Sequence, residues 1–323
     1  HLIYEIDWLC LDVEGIDAEI LLTFDWSKYS IKRVEFEHLH LGYYSNAIKN
    51  MMIGMGYKQV DSLHEYDWAF ENKNIIFEID KLKNFPSVNF ISIEESKERR
   101  DVLYKTFEKY KISNITPHIY KKYSDGEHKI IEGDIINHTG KGVLISHLQT
   151  IKKWYESTNE EYTIICEDDF SFDSVKYWNF SWEEFFNQLP KDWNIVQLSL
   201  VRENMFIFFN PKVKLRNRCY CDWSACAYLI SRKHAKKLIE NYYPADSIII
   251  EYKGTDKELR LKDNVSFIFP NIETIIYSNF IGGIYAFPLF VENVSFQSTW
   301  TGNLNTYNIK SNEQIINWWK TIG

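Results

Sequence analysis

Tyr162-Thr-Ile-Ile-Cys-Glu167-Asp168-Asp169-Phe170 joins a short apolar run to three consecutive carboxylates. A run of that length, closed abruptly by charge, reads as a strand buried on both faces of an α/β sheet. Three acids at its carboxyl end are electrostatically costly, because like charges this close raise each other's pKa unless a cation compensates. The carboxyl ends of parallel strands are also where α/β sheets take their ligands. A hard divalent ion, Mn²⁺ or Mg²⁺, relieves the repulsion and keeps positions open for further oxygen ligands. In an extended segment Glu167 and Asp169 point to one side and Asp168 to the other. This spacing predicts Glu167 and Asp169 at the metal. The simpler alternative is a solvated acidic turn.

Working outward, strands alternate with helices. Val88–Ile93 reads as a strand, and Lys97–Tyr110 as a helix with Leu103, Phe107 and Tyr110 on one face. Val143–Glu156 carries Leu144, Leu148, Ile151 and Tyr155 at helical spacing. Asn194–Ser199 and Ala225–Ser231 read as further strands, and Arg232–Tyr243 as a helix. This alternation predicts a mostly parallel sheet covered on both faces. Upstream, Trp8–Val13 and Ile31–His38 read as strands. Tyr43–Met55 reads as a helix with Ala47, Met51 and Met55 on one face, and Tyr57–Asp61 and Asp67–Glu71 as closing strands. The Pro-containing break Asn84-Phe85-Pro86-Ser87 separates the two regions.

Composition bounds the function. A chain of 323 residues suits about two domains. It is 45% apolar and 25% charged, as soluble globular proteins are. A net charge of −8 and a pI near 5.7, with no basic stripe, argue against a nucleic-acid partner. No apolar run is long enough for a transmembrane segment, and the opening HLIYEIDWLCLDVEG lacks the zones of a signal peptide. Five cysteines, an odd number, argue against a disulfide framework and for a reducing, cytoplasmic location. Cys219, Cys221 and Cys226 cluster, but their spacing matches no common zinc motif, so they read as buried or half-buried thiols. Aromatic residues reach 16%; most belong in cores, and some can stack on sugar or base rings. The tail Ile315-Ile-Asn-Trp318-Trp319 reads as an amphipathic helix closing the domain, with sugar stacking as the alternative.

Six motifs in residues 88–240 then carry a resemblance. They are Phe90-Ile-Ser92-Ile with Arg99-Arg100, Tyr123-Ser-Asp125-Gly126, Gly142-Val-Leu-Ile-Ser146-His147-Leu148, the acidic stretch at 164–169, Trp193-Asn-Ile-Val-Gln-Leu198, and Ala227-Tyr228-Leu-Ile-Ser231 running on to Leu238. In that order they resemble glycosyltransferase family 25, the lipopolysaccharide and collagen galactosyltransferase relatives. The resemblance implies a GT-A-type nucleotide-sugar-binding fold over residues 86–323 and a metal-dependent, inverting transfer of a hexose. The donor would be a UDP-sugar, and the acceptor a hydroxyl of a glycan or protein. It implies that Ser92, Arg99, Arg100, Asp125, Ser146, His147 and Asp168 bind the donor. An inverting transfer needs one base. Asn271-Ile-Glu273 is similar to the segment that carries the base in distant members, and Pro244-Ala-Asp246 to the segment in others. Glu273 is therefore the first candidate and Asp246 the second, with residues 247–270 an insertion between them. Phe296-Gln-Ser298-Thr299-Trp300 resembles a late motif of those members but has Trp where His is common.

Residues 1–84 resemble something else. Asp12-Val-Glu14-Gly15-Ile-Asp-Ala-Glu19 is similar to a motif of FkbM-type S-adenosylmethionine methyltransferases. The resemblance covers only that family's C-terminal half, and the glycine-rich turn that grips the cofactor is absent. The expectation is a partial Rossmann-like α/β segment without methyl transfer of its own, in which Asp12 and Glu14 are structural.

Overall fold

The computed structural model describes residues 4–13, 15–122, 130–131, 138–201, 215–219, 222–243, 250–251, 272–296 and 306–322. The chain divides into two compact units, residues 1–81 with 179–181, and residues 82–178 with 182–323.

The first unit contains β1 (Glu5–Leu11), α1 (Asp17–Thr23), β2 (Ser30–Glu37), α2 (Ser45–Gly54), β3 (Lys58–Val60), β4 (Asp67–Glu71) and the short α3 (Glu78–Lys81). Its sheet order is β1-β2-β4-β3. β1 and β2 are parallel, as a βαβ step requires, and β4 runs antiparallel to both its neighbours. Leu21, Val34, Phe36, Ile48, Met52 and Phe70 fill its core. Helix α2 is turned one residue from the expected face: Ile48 and Met52 are buried and Ala47 is exposed. Ile removes more apolar area from water than Ala does, so it takes the inward position.

The second unit contains β5 (Val88–Ile93), α4 (Lys97–Lys109), β6 (Ile115–Tyr120), β7 (Ile130–Ile131), α5 (His138–Ser157), β8 (Tyr162–Glu167) and β9 (Phe170–Ser171). α6 (Trp182–Asn187), β10 (Ile195–Ser199), β11 (Arg216–Asn217), β12 (Ala227–Ser231), α7 (Arg232–Tyr242), β13 (Ile250–Glu251), α8 (Ile272–Ile276), β14 (Ile284–Glu292) and α9 (Thr306–Ile322) follow. The main sheet runs β11-β14-β10-β12-β8-β5-β6, with β9 added on β14, while β7 and β13 pair separately.

The expected mostly parallel sheet is instead mixed. β12 lies antiparallel between β8 and β10, and β11 is antiparallel to β14. Burial explains why sequence hides this: β12 is buried along nearly its whole length, so its uniform apolar pattern carries no sign of direction. The parallel pairings β8–β5, β5–β6 and β10–β14 still bring the carboxyl ends of β5, β8 and β14 to one edge. The start of β12 arrives at that same edge.

Pro288 sits in the middle of β14. The ladder to β10 pairs Ala286 with Gln197 and Phe290 with Ser199, so the register shifts across the proline. A residue without an N–H cannot continue a ladder, and a bulge is the usual accommodation. Beyond it β14 pairs with β9, Val291 with Ser171 and Glu292 with Phe170. Glu292 is thereby delivered beside the acidic triplet.

The aromatic excess is largely core. Phe90, Phe107, Phe172, Phe287, Phe290, Trp154 and Trp182 are all fully buried, each stabilising by roughly 1.5–3 kcal/mol or more through removal from water. Trp318 and Trp319 on α9 are buried too, and Trp319 Nε1 donates to the Pro288 carbonyl at 2.8 Å. They close the domain, and the sugar-stacking alternative for them falls.

A polar chain crosses the buried sheet. His118 on β6 meets Asn89 Oδ1 on β5 at 2.8 Å, Asn89 Nδ2 donates to Thr163 Oγ1 on β8 at 2.9 Å, and Thr163 donates to the Ser87 carbonyl at 2.8 Å. Burial, helped by the charge of Lys153, holds the His118 pKa down at about 4. The folded protein therefore binds fewer protons here than the unfolded chain. This site costs nothing above about pH 6.5, and stability falls by roughly 3 kcal/mol as pH drops towards 4. Urea titrations from pH 7 to 4.5 should show a His118→Asn variant losing measurably less stability than wild type; equal slopes would refute this.

Candidate functional site

The carboxyl edge of the sheet gathers the chemistry. β8 ends in Glu167, and the turn that follows holds Asp168 and Asp169. Asp168 points inward, as the period of two requires, and is 7% exposed. Ser92, at the end of β5, donates to Asp168 Oδ2 at 2.6 Å, and Arg99 Nη1 donates to Asp168 Oδ1 at 2.9 Å. Arg99 Nη1 also reaches Asp169 Oδ2 at 3.3 Å. Arg99 projects from the first turn of α4, and its guanidinium lies 5.4 Å from the Phe296 ring. Arg100 anchors the same corner: it donates to Ser92 Oγ at 3.0 Å, to the Ile93 carbonyl, and to the Glu94 carbonyl at 2.9 Å.

Glu167 and Asp169 stay partly open, with side-chain exposures of 30% and 22%. Burial, then the charges of Asp168 and Glu273, push the Glu167 pKa up to about 7, against the opposing pull of Arg99. Asp169 is likewise raised, by burial and then by Glu167 and Asp168. Its Oδ1 accepts from the Cys226 thiol at 3.5 Å.

His147 is fully buried on α5. Its Nε2 lies 3.1 Å from Glu167 Oε1 and its Nδ1 2.9 Å from the Tyr228 hydroxyl on β12. Burial holds its pKa down at about 3, so the ring is neutral. Tyr228 O–H donating to Nδ1 fixes the tautomer with its proton on Nε2, facing the carboxylate. Both nitrogens are committed in this arrangement, one to Tyr228 and the other to Glu167. The Ser146 hydroxyl, also buried, donates back to the Val143 carbonyl at 2.8 Å.

Opposite the triplet, Ser224 organises two more acids. Its N–H donates to Glu273 Oε1 on α8 at 3.2 Å, and its hydroxyl to Glu292 Oε1 at 2.8 Å. Asn308 on α9 donates to the other Glu292 oxygen at 2.6 Å. Burial and the nearby charge of Asp169 raise the Glu292 pKa. Ser224 itself has φ +98°, a conformation that a side chain disfavours and that persists only where surroundings over-determine it. Here they do, since its carbonyl accepts from Gln197 Nε2 at 2.8 Å and from the Tyr277 hydroxyl at 3.2 Å.

Ser92, Arg99, Arg100, Glu167, Asp168, Asp169 and Glu273 thus belong to one edge of the fold. Asp125 and Asp246 lie outside the described residues, as do Cys221, Trp300 and most of the segment 247–270. Cys219 and Cys226 are free thiols, half-buried and buried respectively. Among the described residues no three His, Cys, Asp or Glu side chains are gathered into a metal cage. Glu292, Ser224 and Tyr228 were not anticipated as site residues. The signal for Glu292 was present: Ile284–Val291 is an apolar run closed by an acid, the same signature that marks 162–167.

No curated protein matches the chain. Among solved structures, A197 from STIV is 11% identical over 64% of this chain and 83% of its own, with a TM-score of 0.33. A glycosyltransferase involved in glycosylation of the major capsid of PBCV-1 is 10% identical over 71% and 98%, with a TM-score of 0.37. HddC from Yersinia pseudotuberculosis is 12% identical over 76% and 85%, with a TM-score of 0.30. Likeness at that level is descriptive only. The family assignment comes from the sequence: residues 85–251, just over half of the chain, match glycosyltransferase family 25 (LPS biosynthesis protein), and the chain belongs to that family.

Proposed function

We propose that this glycosyltransferase moves a hexose from a UDP-sugar to a hydroxyl of a glycan or protein, with inversion and with a divalent cation, on a GT-A-type fold. The observation that carries this is the lock on the acidic triplet. Ser92 and Arg99 hold Asp168, Arg99 reaches Asp169 as well, and Glu167 and Asp169 stay partly open at the carboxyl edge of the sheet. Two hard oxygen donors whose pKa values are raised by burial and by neighbouring carboxylates suit Mn²⁺ or Mg²⁺, which keep water and phosphate oxygens in their remaining positions. Glu167 and Asp169 would hold the ion, and its chemistry when bound is to neutralise charge on the departing diphosphate.

The chain's own groups supply the rest. Asp168, fixed by two partners, is the rigid reference from which its neighbours are aimed. His147 steadies Glu167 from beneath. Glu273 has one oxygen held by the Ser224 N–H, and its other oxygen suits it to take the proton of the acceptor hydroxyl. Asp246 remains the second candidate for that role. Catalysis then rests on positioning, charge and one base.

Cys10, Cys166, Cys219 and Cys226 are free thiols, in keeping with the cytoplasmic compartment this reading supposes. No helix among the described residues is long and apolar enough to cross a membrane. For residues 1–84 the proposal remains a partial FkbM-like segment that transfers no methyl group by itself.

The test is a thermal-shift screen of UDP-, GDP- and CMP-sugars with and without Mn²⁺. Ligand that binds only the folded state raises Tm by several degrees near saturation. A UDP-sugar should do so, and far more with Mn²⁺ than without. Equal shifts from all three nucleotide classes, or a shift indifferent to Mn²⁺, would overturn the proposal.

A further inference from the structure

We infer that Trp223 is the platform on which a pyranose ring of the acceptor stacks; the inference rests on the transferase function proposed above and names a subsite of it. Among the described residues of the second unit, Trp154, Trp178, Trp182, Trp318 and Trp319 are buried and Trp193 is half-buried, whereas Trp223 is 40% exposed. Leaving so large an apolar side chain partly in water forgoes stabilisation that the buried indoles of the same unit collect. Mobility does not account for it, because its backbone is held. The Trp223 carbonyl accepts from the Val201 N–H at 2.9 Å and from Gln197 Nε2 at 2.9 Å, and the two residues form a bridge. Its successor is Ser224, fixed at φ +98° by hydrogen bonds to Glu273, Glu292, Gln197 and Tyr277. No other ring or cation among the described residues covers the indole. The result is a partly exposed indole on a held backbone.

Its position says what it would carry. Trp223 directly precedes the residue that holds Glu273 and Glu292, so the indole is tethered one residue from the anchor of the proposed base. A pyranose has an apolar face of C–H groups and a rim of hydroxyls. Such a ring packs its C–H face on an indole and offers the rim to nearby carboxylates, as amphipathic aromatic sites generally exploit. The Arg99–Asp168 lock belongs to the proposed donor end, whereas Ser224, next to Trp223, holds the proposed base. The sugar beside the base is the one whose hydroxyl reacts, which is the acceptor.

The experiment follows tryptophan emission of the full chain as methyl glycosides of galactose, glucose and mannose are added, with UDP and Mn²⁺ present. Trp223→Phe and Trp223→Ala are run alongside, and UDP affinity is measured for each. At least one glycoside should shift the emission. Trp223→Ala should weaken that glycoside's binding by about tenfold or more, Trp223→Phe by less, since a smaller ring keeps part of the stacking area. UDP affinity should stay at the wild-type value in both. The inference is overturned if Trp223→Ala binds glycosides as wild type does, or if no glycoside responds in a chain that binds UDP. It is equally overturned if UDP alone produces the Trp223-dependent signal, which would assign the indole to the base. A wild-type chain that fails to bind UDP overturns the parent function and this subsite together.

Discussion

Asp169→Asn should abolish sugar transfer while leaving the protein at least as stable as wild type. The carboxylate sits beside Glu167 and Asp168, its pKa raised by burial and by their charge. At neutral pH the site holds more negative charge than Arg99 compensates. Replacing one acid by an isosteric amide relieves that repulsion, so the melting temperature should hold or rise. The same change removes one of two oxygen donors proposed for the cation. The loss of turnover should be on the order of 10²–10³-fold or greater, the scale seen when one preorganised electrostatic group is deleted. UDP release from a UDP-sugar in saturating Mn²⁺ is the measurement. Wild-type turnover in the variant would remove Asp169 from the proposed metal site.

Arg99→Met should have the opposite character, costing the fold first. Arg99 is 8% exposed, and two carboxylate partners of its guanidinium lie at 2.9 and 3.3 Å. Methionine fills much the same volume but leaves Asp168 buried without its cation. Breaking a buried pair by removing one partner costs about 3–5 kcal/mol, because the remaining charge is stranded. Urea denaturation should show that loss. Adding Asp168→Asn to Arg99→Met should recover a substantial part of it, since the stranded charge is then gone. Purely additive effects would mean that the pair is not coupled, and that the lock on the triplet is a coincidence of geometry.

Much of this was legible in the residues. Mostly apolar runs mark β5, β8, β10 and β12, and a period of 3.6 marks α4, α5 and α7. A period of two separates inward Asp168 from Glu167 and Asp169. Three things were not legible, each for a physical reason. The reversed direction of β12 leaves no trace in a strand buried throughout. Pro288 interrupts the run that forms β14, and proline ordinarily argues against a strand; only the bulge reconciles the two, and with it the arrival of Glu292. The helix pattern shows His147 near an apolar face, but not that both its nitrogens are consumed by Tyr228 and Glu167. Those partners lie 81 and 20 residues away, and tertiary contacts of that span have no local signature.

The reversed strand also bears on how the chain matures. β12 is central, zipped between β8 and β10, yet it is synthesised after both. Until it emerges from the ribosome, β8 and β10 each expose an unpaired apolar border, the kind of edge that recruits foreign strands. β10 needs β14 besides, nearly 90 residues further on. Closure of the nucleus must therefore wait for most of the polypeptide, which favours slow acquisition of the native state and sticky truncation products. Nascent chains arrested near residue 200 should partition into aggregates, whereas release beyond residue 292 supplies every strand the sheet requires.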